Sequence, residues 1–79
     1  MAEITFEIKE HLMVLSESPR GWNKEINLVS WNNRKPKLDI REWDEAHEKM
    51  GKGLTFSKEE LVKLKELLRS LDLEQLEIG

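Results

Sequence analysis

The chain has 79 residues, of which 38% are hydrophobic and 37% are charged, and its formal net charge is −3 at pH 7. A chain of this length forms one domain, here residues 1–79, and buries only about 60–65% of the surface that its unfolded form exposes, which disfavours a deep enzyme cleft. Cysteine is absent, which excludes a disulfide framework, a thiolate nucleophile and a cysteine metal site. Small domains of this kind often gain buried surface by oligomerisation.

The first part of the chain predicts one long strand and a turn. Ile4, Phe6 and Ile8 alternate with polar residues, and this period of two is typical of a half-buried strand. We expect the strand to continue to Leu15, with a bend near residues 10–11. The sequence Ser-Pro-Arg-Gly that begins three residues later predicts a type I turn, because proline suits the second turn position and glycine the fourth.

A second strand is predicted at residues 22–31, with Ile26 and Leu28 on one face. The loop at residues 32–36 ends this strand. Its two asparagines tolerate the left-handed conformation, and its proline does not fit a central strand.

The third strand is predicted at residues 37–43, and its alternation is regular. Leu38 and Ile40 lie on one face, which we expect to be the core. The opposite face carries four residues: Lys37, Asp39, Arg41 and Trp43. A charged loop at residues 44–53, which contains two glycines, then leads to a short fourth strand at residues 54–56.

A helix is predicted near the end of the chain. Ser57 suits the N-cap, and Glu60 lies three residues later, which is the spacing of a capping box. The segment contains no internal glycine or proline and is rich in leucine, a strong helix former. Its leucines recur at intervals of three and four residues and form one apolar stripe: Leu61, Leu64, Leu68 and Leu71. We expect fraying at Asp72, and the sequence does not determine the state of the tail.

These elements predict an α+β fold, in which a four-stranded curved antiparallel sheet is followed by one C-terminal helix (ββββα). One helix covers at most one face of a sheet, so a monomer leaves apolar surface exposed. A homodimer that pairs the helices, or the backs of the sheets, removes this exposure. The leucine stripe therefore has two interpretations, helix-on-sheet core and dimer interface, and both can hold together.

Charge is unevenly distributed along the chain. Residues 20–41 carry a net charge of +4, whereas residues 1–18 carry −3 and residues 42–48 carry −4. A basic middle between acidic flanks predicts one cationic face on an acidic body, and such a local field matters more to a polyanion than net charge does. The alternative is that these charges are solvated residues on strand surfaces, and charge alone favours this alternative.

No set of residues predicts an active site. His11 and His47 lack a third ligand at metal spacing, and we expect both at the surface or at strand ends. Asp39 and Glu42 lie on opposite faces of a strand, where they cannot act as a glycosidase pair. We therefore expect neither an enzyme nor a metal or cofactor site. The sequence predicts no secretory signal and no membrane span, so we expect a cytoplasmic protein.

The three tryptophans lie within the basic stretch or at its edge. Trp43 shares its strand face with Lys37 and Arg41, so it is expected to point outward among cations if the opposite face is the core. Proteins that bind single-stranded nucleic acid combine these groups, because cations contact phosphates while each aromatic face stacks on a base for about 1–3 kcal/mol. The alternative is that Trp22 and Trp31 cover core edges at strand ends, which we expect for at least one of them.

The order of these motifs resembles a known family. Asp-Ile-Arg-Glu-Trp at residues 39–43, a polar loop, Gly-Lys-Gly-Leu-Thr-Phe-Ser at residues 51–57 and a leucine-rich helix are similar to the single-stranded-DNA-binding transcriptional coactivators called positive cofactor four. The short length, with Gly-Trp at residues 21–22 and Val-Ser-Trp-Asn at residues 29–32, resembles the bacterial branch, the YdbC type. The family often has two aromatics after Arg-Glu, whereas this chain has one.

The resemblance implies a homodimer of ββββα subunits, in which the helices pair and the curved sheets bind two antiparallel runs of single-stranded DNA. Arg41 matches the arginine of the family motif, and Lys52 matches the lysine before the glycine-aliphatic strand. Lys49 lies close to another loop lysine of the family. Trp31 falls near the stacking aromatic at the end of the second strand, and Lys35 falls near a lysine that follows it.

The leading hypothesis is a homodimeric binder of single-stranded DNA with little sequence preference, which supports transcription, replication or repair. Trp31 and Trp43 stack on bases in this hypothesis, and the leucine stripe forms the dimer interface. RNA is not distinguished from DNA, and the transcription machinery is a candidate partner. A small protein-interaction module that does not bind nucleic acid is the alternative, and an enzyme is a distant third. Phosphates are expected to contact six cations: Lys24, Lys35, Lys37, Arg41, Lys49 and Lys52.

Overall fold

The computed structural model describes residues 4–79, so the first three residues of the predicted domain lie outside the described part. Four antiparallel strands lie side by side in chain order, and one helix follows them. The elements are β1 (Phe6–Glu17), β2 (Asn23–Trp31), β3 (Lys37–Trp43), β4 (Met50–Phe56) and α1 (Lys58–Ser70). This order confirms the predicted α+β fold, with a curved antiparallel sheet before a C-terminal helix.

The first strand, β1, is the least regular one. Its pairing with β2 shifts at three places: between Ile8 and Glu10, between His11 and Met13, and between Val14 and Ser16. Such shifts leave residues of one strand without a direct partner, and they bend the strand and increase its twist. The first two shifts lie on either side of the bend predicted near residues 10–11, and the third lies further along the strand. The curvature is therefore spread over most of β1.

The turns carry the residues that their backbone requires. Gly21 N donates to Ser18 O at 3.0 Å, and Gly21 has a φ of 84°, so a hydrogen-bonded turn forms where the sequence predicts one. Asn32 and Asn33 adopt φ angles of 51° and 61°, which is the left-handed conformation expected in this loop. Thr5 N donates to Asn32 Oδ1 at 2.9 Å, and Asn32 N donates to Thr5 O at 2.8 Å. These bonds tie the β2–β3 loop to the start of β1.

The fourth strand, β4, begins four residues earlier than the sequence predicts. The two glycines predict a loop at residues 50–53, and this is wrong because the segment pairs with β3. Gly53 lies opposite Arg41, and a Cβ atom on Gly53 would overlap Arg41 Cβ and Ile40 O. Glycine stands here because two backbones approach closely within the sheet, so it does not mark a loop.

Helix α1 begins where the sequence predicts. Ser57 Oγ accepts a hydrogen bond from Glu60 N at 3.2 Å, and the Glu60 carboxylate accepts one from Ser57 N at 2.8 Å, so both bonds of the capping box are present. The bond from the Ser57 backbone lowers the pKa of Glu60 below its ordinary value of 4.5, because it stabilises the ionised carboxylate. The helix ends at Ser70, two residues before Asp72, the residue at which the sequence predicts fraying.

The two faces of the sheet are packed differently. The helix face carries the aliphatic residues that the sequence assigns to the core, but each of them is only half-buried: Ile26, Leu28, Leu38 and Ile40. The opposite face, which we call the cleft face, carries the four side chains that have the least exposed surface: Val29, Trp43, Asn27 and Asp39. Strand alternation assigns these residues to the correct faces. The prediction that the aliphatic face is the core and that Trp43 points outward is wrong.

Helix α1 covers the helix face only in part. An apolar groove of about 400 Å³ lies between them, bordered by both elements: Ile26, Leu38 and Ile40 from the sheet, and Leu61, Leu64 and Leu68 from the helix. No residue of α1 is buried, and Leu68 is 57% exposed. The helix-on-sheet core that the leucine stripe predicts is therefore incomplete in the single chain. Across residues 4–79, no helical segment has the length and apolarity that crossing a bilayer needs.

Candidate nucleic-acid interface

A cleft of about 500 Å³ opens on the cleft face, next to the β2–β3 loop. Its apolar wall comes from three parts of the chain: Ile4, Phe6, Trp31 and Met50. Thr55 adds a hydroxyl group, and four cations complete the lining: Arg34, Lys35, Lys37 and Arg41. The aromatic wall can stack on bases and the cations can contact phosphates, which is the combination that single-stranded nucleic acid requires.

Trp31, the last residue of β2, is held from two sides. The Phe6 ring lies 6.0 Å from the Trp31 ring between centroids, at an angle of 48°. Arg41 Cζ lies 4.8 Å from the centroid of the Trp31 ring, which is within the range of a cation–π interaction. The indole N–H has no hydrogen-bond partner within residues 4–79. Trp31 is half-buried between Phe6 and Arg41, and it lines the cleft.

Arg41 is held in place by Asp39. Arg41 Nε donates to Asp39 Oδ1 at 2.7 Å, and Arg41 Nη2 donates to Asp39 Oδ2 at 2.8 Å. The hydroxyl of Thr55 donates to Asp39 Oδ2 at 2.9 Å, and Arg41 Nη1 donates to Gly51 O at 3.3 Å. Because a buried carboxylate is tolerated only when it is paired and hydrogen-bonded, Asp39 depends on these contacts. The charge of Arg41 is therefore largely opposed inside the fold.

The remaining cations of the cleft are differently placed. Arg34, Lys35 and Lys37 are exposed, and none of them lies within 4.0 Å of a carboxylate of residues 4–79. The loop backbone that carries Arg34 is fixed, because Arg34 N donates to Trp31 O at 2.9 Å and Ser30 Oγ donates to Arg34 O at 2.6 Å. Three positive charges beside the Trp31 ring are thus available to contact an anionic ligand.

The structure brings half of the predicted nucleic-acid-binding residues together in the cleft: Trp31, Lys35, Lys37 and Arg41. The others lie elsewhere. Lys24 lies two residues before Ile26 on β2, and residues two apart share a face of a strand, so Lys24 lies on the helix face. Lys49 belongs to the β3–β4 turn, where its N–H donates to Asp44 Oδ1 at 2.9 Å, and Lys52 is an exposed residue of β4.

Trp43 does not offer a surface to a base. Its exposed fraction is 0%, and Phe6 and His47 cover it with ring centroids 5.2 Å and 5.8 Å away. Assigning Trp43 to base stacking is therefore wrong for this structure. Its ring instead fills the interior on the cleft face, where β1 and the β3–β4 turn meet β3.

Several residues of this region are absent from the sequence prediction of the site, among them Arg34, Asp39, Phe6 and Thr55. Arg34 could have been predicted from the sequence, because it lies in the basic stretch next to Lys35. Asp39 could have been predicted too, because it precedes Arg41 by two residues on one strand face, which is the spacing of neighbouring side chains on a strand. Phe6 and Thr55 could not, because they come from other strands and join the site only through the fold.

A second cavity of about 280 Å³ lies on the cleft face. Its lining combines aliphatic and polar residues: Ile8, His11, Val14, Glu25, Asn27 and His47. Both histidines are partly exposed, as the sequence predicts, but each also contacts the buried carboxylate of Glu25, which the sequence did not indicate. Within residues 4–79, no group of three or more histidine, aspartate or glutamate side chains is arranged to hold a metal ion.

Comparison with known proteins adds two findings. The family model described as Transcriptional Coactivator p15 (PC4) matches residues 18–67, which include β2, β3, β4 and most of α1. A protein of Treponema pallidum (strain Nichols), named as an uncharacterized protein, is 42% identical over 69 residues. That match covers 87% of this chain and 81% of the relative. The family match includes the strands that carry Trp31, Lys37, Arg41 and Met50, and it begins after β1.

Proposed function

Because the chain belongs to the Transcriptional Coactivator p15 (PC4) family, we propose that it binds single-stranded DNA in the cleft beside Trp31. The observation that carries this proposal is the placement of three cations beside the Trp31 ring, with no carboxylate of residues 4–79 within 4.0 Å of them. Phosphates bind the cations Arg34, Lys35 and Lys37, and a base stacks on Trp31. Since every base has a π-face, binding depends little on sequence.

The position of Trp31 favours an unpaired strand over a duplex. The ring forms part of a cleft wall and does not project from the surface, so a base must leave its stack to reach it. Bases of a single strand are free to do so, whereas those of a duplex must first be unpaired at a cost of a few kcal/mol. The net charge of +4 over residues 20–41 attracts the backbone despite the net charge of −3 for the whole chain.

The active unit in this proposal is a homodimer. Helix α1 leaves the groove on the helix face open, and Leu68 lies there 57% exposed. A second copy supplies the same apolar surface, so a two-fold interface can bury both grooves at once. The four leucines of the stripe would form its centre: Leu61, Leu64, Leu68 and Leu71. The clefts lie on the opposite faces of the two sheets and stay open.

The cellular role that fits this activity is coactivator-like support of transcription, or protection of single strands in replication and repair. The transcription machinery is then a candidate partner. The cleft contains the groups that contact phosphates and stack on bases, which DNA and RNA share. Single-stranded RNA is therefore a second ligand to compare directly.

Fluorescence anisotropy of a labelled oligo-dT, compared with a duplex of the same length at two salt concentrations, tests the proposal. We expect tighter binding of the single strand, an affinity that falls with salt, and quenching of tryptophan emission on binding. Equal affinity for the duplex, or no binding at low salt, would contradict the proposal. In that case the alternative, a protein-interaction module, gains support.

A further inference from the structure

The second cavity lies on the same face of the sheet as the first cleft. Along β2, Trp31 belongs to the cleft, and Asn27 and Glu25 belong to the cavity. These residues share one strand face and lie about 13–20 Å apart, given a rise of about 3.4 Å per residue. Along β1, Phe6 lines the cleft and Ile8 lines the cavity. A single-stranded DNA that leaves the cleft along this face therefore reaches the cavity within a few nucleotides.

Partly buried hydrogen bonds to Asn27 and Glu25 fix both histidine rings. Glu25 is 3% exposed, and its carboxylate can only accept, so Asn27 Nδ2 donates to Glu25 Oε1 at 3.3 Å. Asn27 Oδ1 then faces His11, and His11 Nδ1 must be the donor of the 2.8 Å bond between them. His47 Nε2 likewise donates to the Glu25 carboxylate, with both oxygens at 3.0 Å. The proton of each neutral ring is thus assigned to the nitrogen that faces the interior.

The outward nitrogens are consequently acceptors. In the neutral rings, His11 Nε2 and His47 Nδ1 carry lone pairs, and neither atom has a hydrogen-bond partner within residues 4–79. The His11 side chain is 51% exposed and that of His47 is 40% exposed, so a ligand can reach both. The cavity thus presents two oriented imidazoles whose acceptor atoms are unused.

The charges of the cavity exclude a phosphate and fit a base. The lining contains no lysine or arginine, and its one formal charge is the carboxylate of Glu25. A phosphate is repelled there, whereas a neutral planar group that carries N–H donors is favoured. Nucleobases have such donors on their edges, and their faces stack on histidine as well as on the larger aromatics. Ile8 and Val14 supply the apolar part of the enclosure.

From these observations we propose that the second cavity binds one nucleobase of the strand held in the first cleft, with His11 and His47 as its polar contacts. This inference rests on the proposed function, because the strand is delivered by the cationic cleft. The two sites then make different contacts with the DNA. The cleft contacts phosphates and one base, and the cavity contacts a further base without any phosphate contact.

Two variants test the cavity without touching the cleft. His11→Ala removes one acceptor, together with the bond from His11 Nδ1 to Asn27 Oδ1, and Val14→Phe fills the space while keeping that bond. The His11 side chain is 51% exposed and Val14 is 37% exposed, so the fold should tolerate the changes, and urea denaturation of both variants checks this. Leu12→Ala is the matched control, since Leu12 is an exposed residue of β1 outside the lining. Affinities for labelled oligo-dT of about 12 and about 4 nucleotides, within the site sizes of small single-strand binders, are measured at several salt concentrations. The pH is kept at about 8, above the range in which histidine usually gains its proton.

We expect each cavity variant to bind the long oligonucleotide about tenfold more weakly, which corresponds to the loss of one base contact of about 1.4 kcal/mol. The salt dependence should stay the same, because no phosphate contact is lost. The short oligonucleotide, held by the cleft alone, should bind all variants equally.

The outcomes separate the inference from the function on which it rests. If the wild-type protein binds neither oligonucleotide, the proposed function fails and the inference fails with it. If the wild-type protein binds the long oligonucleotide and both cavity variants bind it as the Leu12→Ala control does, only the inference is overturned. A weaker salt dependence in His11→Ala would indicate a contact with phosphate and would also overturn it.

Discussion

Asp39 and Arg41 form a two-pronged ion pair, with distances of 2.7 Å and 2.8 Å, although the Asp39 side chain has no exposed surface. The pair occupies neighbouring positions on one face of β3, and the guanidinium group of Arg41 also lies against the ring of Trp31. Arg41 therefore has a structural role. It compensates a buried carboxylate and orders the aromatic wall of the cleft.

The first prediction concerns the stability of this pair. We expect Arg41→Ala to lower the free energy of unfolding by about 3–5 kcal/mol, because it leaves the buried carboxylate of Asp39 without its cation. Urea denaturation measures the change. The double variant Asp39→Asn/Arg41→Met should recover most of the loss, because neither charge remains. An Arg41→Ala protein as stable as the wild type would show that the pair is not coupled to folding.

The second prediction distinguishes the cleft from the other cations by salt dependence. Lys35→Ala should reduce the slope of log affinity against log salt concentration by about 0.7, which is the value for one phosphate contact of a single strand. Lys24→Ala should leave it unchanged, because Lys24 lies on the helix face. Arg41→Ala should reduce it by less than Lys35→Ala does, since Asp39 already opposes its charge. Equal effects of Lys24→Ala and Lys35→Ala would place the strand outside the cleft.

The third prediction separates two tryptophans that the sequence treats alike. Trp31→Ala should weaken oligo-dT binding by about 1–3 kcal/mol, because a stacking surface is lost. Trp43→Ala should instead lower the free energy of unfolding by about 3–5 kcal/mol, because it leaves a cavity in the interior. Anisotropy titrations and urea denaturation of both variants provide the measurements, and Trp31→Phe serves as a control that keeps an aromatic face. Unchanged binding by Trp31→Ala would refute the stacking role.

The fourth prediction addresses the homodimer. Leu68→Glu should shift the protein from dimer to monomer in sedimentation experiments, because it puts a charge into the proposed interface. Leu68 is 57% exposed in the single chain, so this substitution should not unfold the subunit. Lys63→Glu changes the charge at another exposed position of α1 and serves as the control. A wild-type protein that sediments as a monomer at micromolar concentration would contradict the two-fold interface.

The fifth prediction concerns pH and the start of α1. The lowered pKa of Glu60 means that the folded chain releases this proton more readily than the unfolded chain does. The resulting stabilisation is fully present above the ordinary value of 4.5 and is lost as the pH falls through the lowered value. Glu60→Gln should weaken this dependence in denaturation curves recorded between about pH 6 and about pH 3. Ser57→Ala should cost about 1 kcal/mol at neutral pH, because a helix N-cap is lost.

Local patterns in the sequence predicted the elements well. The bounds of β3 follow from its alternation, and both hydrogen bonds of the Ser57 capping box are present. The start of β4 could not be predicted in this way, because the two glycines of residues 50–53 look like loop residues. Gly53 is needed only because β3 runs close beside it, and that proximity is a property of the assembled sheet.

The core was harder to predict than the strands, for a physical reason. A period of two divides residues between two faces, but it does not say which face the rest of the chain covers. Leu38 and Ile40 look like core residues by composition, yet β1 and the β3–β4 turn cover the opposite face, which holds Trp43 and Asp39. Half of the predicted site residues lie together in the cleft, because Trp31 and Lys35 lie where β2 meets its loop, close together in both sequence and space.

Because side chains along β2 alternate, substitutions affect the cleft face and the helix face separately, whereas a change of register affects both faces at once. Side chains on the proposed binding surface can be changed without altering the surface of the proposed dimer, because odd and even positions never share a face. Inserting a single amino acid into β2 would instead turn the whole downstream half of the strand over. The proposed DNA binding and the proposed dimerisation would then be lost in one step, although every original side chain would still be present.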